Sequence, residues 1–428
     1  MSSYATDKTV EEETAERVFS RRSSSMFISL RVRNFQLYAG GQVVSLLGTW
    51  IQRIAQDWLV LEISGGSATA LGIAVALQFL PMLLLTPWAG LLADRLDKRH
   101  LLIVLQYGIG GSALALGLLD VAGLVQLWHV YVLCLSLGCC GALEMPIRQS
   151  FVMEMVGRSQ VGNAVSLNSI IVNSCRLVGP AIAGYLIAWI GTGWLFLVNA
   201  FSVIGVVVTL VMMNPALLHR NDPVPAGRGQ LLEGVRYVRQ RPELVSVLSL
   251  VFCVGTFGLT FNTSLAVMAN QVFETGSDDF GLLHAMLAAG TLVGAAFSAW
   301  RSARDLPRHH ILIGSALTFG VAESIAAFSF SAWVFGILLL VLGATQMTFI
   351  LTANNTIQLS VDSSVRGRVM SFYMLLLLGG TPLGSTLAGW SAEYVDGRAP
   401  LLLGGSVSVV SASVCGFAIT RIKKRRTS

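Results

Sequence analysis

Long apolar stretches separated by short polar breaks recur along the whole chain. Each holds about 20 residues, the length that a helix needs to cross the hydrocarbon core of a bilayer. Such a segment must be helical, because lipid offers no hydrogen-bond partner to an open backbone. The pattern therefore predicts an all-α polytopic membrane protein with twelve transmembrane helices, near residues 35–61, 70–92, 100–120, 127–147, 162–187, 193–213, 245–268, 280–300, 310–330, 332–353, 369–392 and 400–420.

Composition agrees with this pattern, since 54% of the 428 residues are hydrophobic and only 12% are charged. A soluble protein would carry about a quarter charged residues. The polar first 25 residues contain no apolar core like that of a cleavable signal peptide. The six cysteines all fall within predicted helices and form no metal-spaced pair, so we expect no metal and no cofactor. No H-E-x-x-H motif and no convincing G-x-S-x-G motif indicates an enzyme.

The basic residues orient the predicted bundle. With both termini in the cytoplasm, 26 of the 29 Lys and Arg fall in the inner segments 1–34, 93–100, 148–158, 214–243, 301–308, 362–368 and 421–428. This asymmetry is the positive-inside pattern of membrane proteins and requires an even number of spans. The net charge of +6 then reflects topology and anionic lipid at the inner face, and predicts no nucleic-acid partner.

The spans divide six and six around a long connection that begins "NPALLHRNDPVPAGRG". After it, Leu231, Leu232, Val235 and Val238 alternate with arginines, which suits an amphipathic helix at the membrane surface or a linker packed on the bundle. Glycines 205 residues apart in spans 5 and 11 favour two repeated six-helix halves. The predicted organisation is an inner tail 1–34, a first half 35–213, a linker 214–243, a second half 244–420 and a basic tail 421–428.

The connection after span 2 reads "WAGLLADRLDKRHLL". It resembles the loop 2–3 signature of the major facilitator superfamily at Gly90, Asp94, Arg95, Lys98 and Arg99. In that family the loop latches one half against the other in the outward-open state. By composition alone, the same loop reads as a topology anchor. Asp97 stands where the family usually has glycine, so the turn is expected to be built differently.

Span 5 contains "NSCRLVGPAIAGYL", in which Gly179, Pro180 and Gly184 resemble a motif of the superfamily's antiporters. That resemblance implies export, whereas the residues alone are also consistent with a packing kink. Two longer stretches, "GALEMPIRQSFVMEMVGRSQVGNAVSLNS" and "TANNTIQLSVDSSVRGRVMSFYMLLLLGGTPLGSTLAGW", are similar to a bacterial exporter branch. It includes enterobactin exporters and macrolide- or tetracycline-type efflux proteins.

The first span is unexpectedly polar. One helical stripe, spaced 3, 4, 3 and 4 residues, is predicted to line the translocation pathway and consists of Gln42, Ser45, Thr49, Gln52 and Gln56. Arg53 and Asp57 flank this stripe and are spaced to pair with each other. A charge near the bilayer centre costs about 2.5–3.5 kcal/mol on insertion scales, so it normally faces protein or a water-filled cavity. Asp57 is either a pathway acid or a solvated rim charge beside Trp58.

Three acids fall inside predicted spans and are the candidates for proton coupling: Asp57, Glu144 and Glu323. Glu144 has Arg148 one turn away, and Arg176 lies midway along span 5 as a further charge partner. These groups form either a structural salt bridge or a charge pair that responds to protons or substrate. Neutral pathway candidates complete the set: Asn168, Asn173, Asn354, Asn355 and Gln358.

The resemblance implies a secondary active exporter in the bacterial inner membrane, proton-coupled and monomeric, that moves small amphipathic molecules of drug or siderophore type by alternating access. The absence of a G-x-x-x-x-G-K-[ST] loop favours an ion gradient over ATP as the driving force. The expected partners are a small-molecule substrate, a proton or other coupling ion, and membrane lipid. The alternative is a facilitator or symporter for uptake of a small metabolite.

Topology is testable with reporter fusions at residues 225 and 428. Both fusions should behave as cytoplasmic in a paired alkaline phosphatase and green fluorescent protein assay, because the basic segments resist translocation. A C-terminal reporter that is active outside the cytoplasm would contradict the even number of spans.

Overall fold

The computed structural model describes residues 28–157, 160–219, 236–302, 308–362 and 365–427, with the backbone alone for 86–95, 302, 308 and 423–427. These residues form helices and no strand, which confirms the all-α prediction. The main helices are α1 Arg33–Ile63, α2 Ala68–Arg95, α3 Lys98–Val121, α4 Leu127–Val156, α5 Val161–Met212, α6 Pro242–Cys253, α7 Phe261–Val267, α8 Ser277–Ser302, α9 Arg308–Ala326, α10 Ala332–Ser360, α11 Arg366–Gly379, α12 Thr381–Tyr394 and α13 Ala399–Thr427.

Nine helical stretches of the described chain are long and apolar enough to cross a membrane. One of them, α5, has 52 residues and bends at Gly191, where φ is 80° and ψ is 169°. The bend divides α5 into two arms that correspond to the predicted spans 162–187 and 193–213. Helices α1 and α9, with 31 and 19 residues, are not among the nine. The protein is thus a multi-pass membrane protein, and the count of twelve stays a prediction.

The turn between α2 and α3 depends on Asp97, the residue that departs from the family pattern. Its carboxylate accepts a hydrogen bond from the backbone N–H of His100 at 3.1 Å and so caps the first turn of α3. An acidic cap thus stands where the family usually has glycine, as the departure at Asp97 led us to expect. Helix α3 therefore begins at a side-chain cap that the turn supplies.

The predicted amphipathic helix falls largely on residues 220–235, including Leu231, Leu232 and Val235, which lie outside the described residues. Residues 236–239 are helical, and Val238 is buried. Nearby, Tyr237 donates a hydrogen bond to Asp362 at 2.8 Å. The described end of the linker is therefore packed on the carboxy-terminal half.

The two halves meet at the end of the bundle that holds the connections 64–67, 273–276 and 395–398, here called the predicted outer end. Helix α5 crosses α8 where Gly184 faces Gly281, and α2 crosses α12 where Gly72 faces Gly389. A Cβ atom on Gly281 would lie 2.8 Å from the Gly184 Cα atom, closer than real contacts allow. Only glycine permits this approach of the two backbones.

Hydrogen bonds reinforce the same end. Glu393 on α12 accepts one from the Ser67 hydroxyl at 2.6 Å and one from the Thr69 backbone N–H at 2.8 Å. The Gln271 amide donates to the Gly66 carbonyl at 2.7 Å. Each of these bonds joins one half to the other, so the predicted outer end is closed.

At the opposite end, the predicted inner end, the polar contacts that join two described side chains lie within one half. Lys98 pairs with Glu154 at 2.5 Å in the amino-terminal half, and Arg241 pairs with Asp362 at 3.2 Å in the carboxy-terminal half. One apolar cluster here, built around Phe35, consists of amino-terminal residues alone. Among the described side chains, contacts between the halves thus concentrate at the predicted outer end.

The glycines spaced 205 residues apart occupy equivalent places. Gly179 lies against Trp50 of the first helix in its half, and Gly384 lies against Thr256 in the corresponding helix of the other half. Gly184 and its counterpart Gly389 form the two crossings between halves. The spacing in the sequence therefore corresponds to a structural repeat.

The glycine crossing predicts a conformational effect of Gly281→Ala. The added Cβ atom would meet the Pro180 carbonyl at 2.5 Å and push α8 from α5, opening the predicted outer end. We expect labelling of Ser67→Cys by an impermeant maleimide to rise several-fold, and Gly111→Ala is the control because its Cβ atom would meet nothing within 4 Å. Equal labelling in both backgrounds would contradict closure by this contact.

Candidate functional site

Five polar side chains from α1, α3 and α4 meet inside the amino-terminal half; we call them the N-half polar cluster: Tyr38, Gln42, Gln106, Glu144 and Arg148. Arg148 Nη1 donates to Gln42 Oε1 at 3.0 Å and lies 3.5 Å from Glu144 Oε1. The Gln106 amide donates to the same carboxylate oxygen at 3.0 Å. The Tyr38 hydroxyl is buried without a hydrogen-bond partner. The Glu144 charge is thus balanced by one cation and one neutral donor on separate helices.

The polar stripe of α1 lies mostly against its own half. Asn199 on the second arm of α5 donates a buried hydrogen bond to Gln52, and a Cβ atom on Gly48 would collide with Asn199 and Ser202. This face of α1 therefore packs on α5. Of the remaining stripe residues, Gln42, Ser45 and Gln56 are buried, and Thr49 is exposed. The pathway role of the stripe stays a prediction.

The expected ion pair between Arg53 and Asp57 does not form in the described structure. The Arg53 guanidinium lies over the rings of Trp50, at 5.2 Å, and Phe79, at 5.7 Å. Ring faces attract a guanidinium strongly where water is excluded, which draws Arg53 from its acidic neighbour. Asp57 is 1% exposed, and its Oδ2 atom has no hydrogen-bond partner. It is therefore a buried acid in this conformation and not a solvated rim charge.

Arg176 lies beside the same tryptophan and away from the N-half polar cluster. Its guanidinium carbon is 5.6 Å from the centre of the Trp50 ring. Gly179, one turn further along α5, makes room for Trp50, since a Cβ atom there would lie 2.6 Å from the Trp50 Cβ atom. The glycine of the antiporter motif thus places Trp50 against Arg176.

Glu323 lies inside the carboxy-terminal half. It is 1% exposed on α9, and its Oε2 atom has no hydrogen-bond partner. Its carboxylate packs against Gly404 of α13 and Gly258. The structure therefore separates Glu323 from Arg176, which rests on Trp50.

The neutral candidates make local contacts. Gln358 donates to Asn354 at 2.6 Å on α10, with Asn355 exposed beside them. On α5, Asn173 donates to the backbone carbonyl of Ser169 at 2.8 Å, one turn back. The remaining candidate, Asn168, has a buried carbonyl oxygen without a hydrogen-bond partner. None of the described bonds joins α5 to α10.

The loop 2–3 motif is described in part. The side chains of Asp94 and Arg95 lie outside the described set, although the backbone of these residues and of Gly90 belongs to α2. Lys98 pairs with Glu154, and Arg99 donates to the carbonyls of Leu210 and Val211 at 2.6 and 2.7 Å. These two basic residues bind α4 and α5 of their own half. The latch between halves stays a prediction.

Sequence reasoning missed several members of these groups. Trp50 carried a usable signal, because an aromatic residue one turn before Arg53 shares its side of the helix. His284 on α8 is not among the predicted site residues, yet both Arg53 and Arg176 act on it electrostatically. Asn199 had no signal in the sequence, since its partner Gln52 is 147 residues away.

Comparisons with known proteins agree with this architecture. The sequence model of a family described as transmembrane secretion effector matches residues 24–426. The staphyloferrin A transporter of Staphylococcus aureus is 28% identical, over 81% of this chain and 86% of that protein. The multidrug efflux pump Tap of Mycolicibacterium fortuitum is 27% identical, over 85% and 91%. A crystal structure of a POT family transporter superposes with a TM-score of 0.74 at 11% identity, covering 91% of this chain and 96% of that chain.

The N-half polar cluster predicts a stability effect of Arg148→Met. The substitution leaves Glu144 without its cation, and an unpaired buried polar group costs about 1–3 kcal/mol, more when it is charged. We expect a lower melting temperature of the purified protein, and partial recovery when Glu144→Gln is added. Arg398→Met in a loop is the matched control. A double variant as unstable as Arg148→Met alone would contradict coupling of the two groups.

Proposed function

Because the chain belongs to the transmembrane secretion effector family of the major facilitator superfamily, we propose that it is a proton-coupled exporter of small amphipathic molecules. Its relatives are membrane transporters and not enzymes. The proposal adds the direction, the coupling ion and the substrate class to this shared activity. It places the protein in the bacterial inner membrane as a monomer, with both termini in the cytoplasm and the halves bounded at 35–213 and 244–420.

The observation that carries the proposal is the arrangement of the two halves. They are held together at the predicted outer end by the glycine crossings and by Glu393, while described polar contacts at the predicted inner end stay within each half. An exporter loads its substrate in such a state, from the cytoplasmic side. Alternating access would then require the glycine crossings to separate and the inner ends to close.

Proton coupling needs an acid whose surroundings change between the two states. Glu144 suits this role, because its partners lie on α3 and α4, and Arg148 is held in turn by α1. A shift of α1 would alter the charge balance at Glu144. Asp57 lies on α1 itself and has an unpartnered oxygen, so it too would sense movement of that helix. Glu323 packs within one half and is the weakest candidate.

The proposed substrate class rests on the names of two relatives. One is named as a multidrug efflux pump and another as a transporter of staphyloferrin A. We propose that this chain likewise carries a small amphipathic molecule of drug or siderophore type. The partly exposed side chains Arg53, Arg176 and Trp50 supply both polar and aromatic contacts for such a molecule.

Coupling is testable by neutralising the three acids in energised inside-out vesicles. We expect Asp57→Asn and Glu144→Gln to abolish accumulation of substrate against its gradient, while downhill exchange survives, because only the proton-linked step is lost. Glu323→Gln should reduce accumulation mildly.

Glu62→Gln is the matched control, since Glu62 is exposed at the predicted outer end. Candidate substrates come from a drug-susceptibility panel in a strain that lacks its own pumps. Full accumulation in all three neutral variants would exclude proton coupling through these acids, and accumulation only in right-side-out vesicles would indicate uptake.

A further inference from the structure

We infer that Arg53 and Arg176, gathered on Trp50 beside His284, form a binding site for an oxyanion of carboxylate or phosphate type, and that the transported substrate carries such a group. The inference rests on the proposed function, because it names the substrate chemistry of the same pathway. It extends that proposal to a defined pair of side chains.

The geometry brings two cations to one aromatic ring. Arg53 comes from α1 and Arg176 from α5, with their guanidinium carbons 5.2 and 5.6 Å from the centre of the Trp50 ring. They are close enough to repel each other electrostatically. Since both lie near one ring, the two carbons are at most 10.8 Å apart, and the proposed oxyanion lies between them.

Neither guanidinium has a charged partner among the described residues. No ion pair or hydrogen bond engages either side chain, and both remain partly exposed. Asp57 acts on Arg53 electrostatically but lies beyond ion-pair distance, and the described charge that acts on Arg176 is that of Arg53. Even with Asp57 ionised, the group retains an excess positive charge.

A negatively charged ligand would offset this excess of positive charge within the membrane. Placing a cation there is costly unless it faces protein, water or a counter-charge. The contacts with Trp50 offset part of that cost. Arginine forks match the two oxygens of a carboxylate or phosphate, and such charge-assisted bonds are the strong ones. An oxyanion would satisfy donors that protein groups leave open.

The site lies between the halves. His284 comes from α8 of the other half and feels both arginines electrostatically. Its Nε2 atom is buried without a hydrogen-bond partner, while Nδ1 lies 3.3 Å from the Phe280 carbonyl. Phe280 in turn packs on Trp58 of α1 with ring centres 5.7 Å apart. A bound oxyanion would therefore contact elements that move relative to each other during transport.

The test measures binding at equilibrium, without an ion gradient. The full-length protein in lipid nanodiscs is melted with citrate, inorganic phosphate, choline or sodium chloride at equal ionic strength, since a ligand that binds the folded state raises the melting temperature. We expect citrate or phosphate to stabilise the wild type beyond chloride, with choline inactive. The larger of the two shifts identifies the preferred oxyanion.

Arg53→Gln and Arg176→Gln should each weaken the apparent affinity at least tenfold, and Arg398→Gln, in a loop, should match the wild type. If a glutamine variant does not fold, Arg53→Lys or Arg176→Lys replaces it, with an expected loss of at least threefold because the fork is gone. The inference is overturned if neither oxyanion exceeds chloride in the wild type, or if the arginine variants bind as the wild type does. Gradient-driven export by the wild type is measured separately. If the wild type binds the oxyanion but does not export, the result counts against the proposed function alone.

Discussion

Backbone contact between glycines on opposing helices is the constraint on which the rest of the arrangement depends. Gly184 meets Gly281, and Gly72 meets Gly389, at the two crossings that join the halves. Lipid tails are as apolar as leucine, so helices in a bilayer associate through close packing and not through a hydrophobic driving force. The absence of a Cβ atom at these positions permits that packing. It also allows the crossing to separate without breaking interlocked side chains.

Buried polar groups fall into two classes according to where they lie. In the N-half polar cluster, Glu144 and Arg148 find partners among the other members, and Gln52 binds Asn199 within the same half. Such bonds join helices of the amino-terminal half to one another. Among the described residues, Arg53 and Arg176 instead lack charged partners and lie near a residue of the other half. Unsatisfied charge at a moving interface is where a ligand can contribute most.

Two of the basic residues that are predicted to orient the bundle also anchor helix ends. Lys98 pairs with Glu154, and Arg99 donates to carbonyls at the end of α5. A helix end leaves carbonyl groups without partners inside the helix, and a guanidinium satisfies them while favouring the inner face. Lys98 and Arg99 thus contribute to helix packing as well as to the predicted topology.

The sequence by itself determined the helices, the division into halves and the glycines that recur 205 residues apart. Apolar length and the hydrogen-bonding demands of lipid act locally, so they can be read from neighbouring residues. The spacing of Gly179 and Gly384 likewise predicted a repeat that the helix contacts display.

Only the tertiary structure decided which partner each polar side chain takes. Arg53 has Asp57 four residues away, yet its guanidinium lies on Trp50 and Phe79, because helix packing brings those rings into reach. Gln52 finds Asn199, 147 residues distant, and Glu323 is enclosed by α9 and α13. Side-chain pairing depends on the relative placement of whole helices, and no local pattern records that placement.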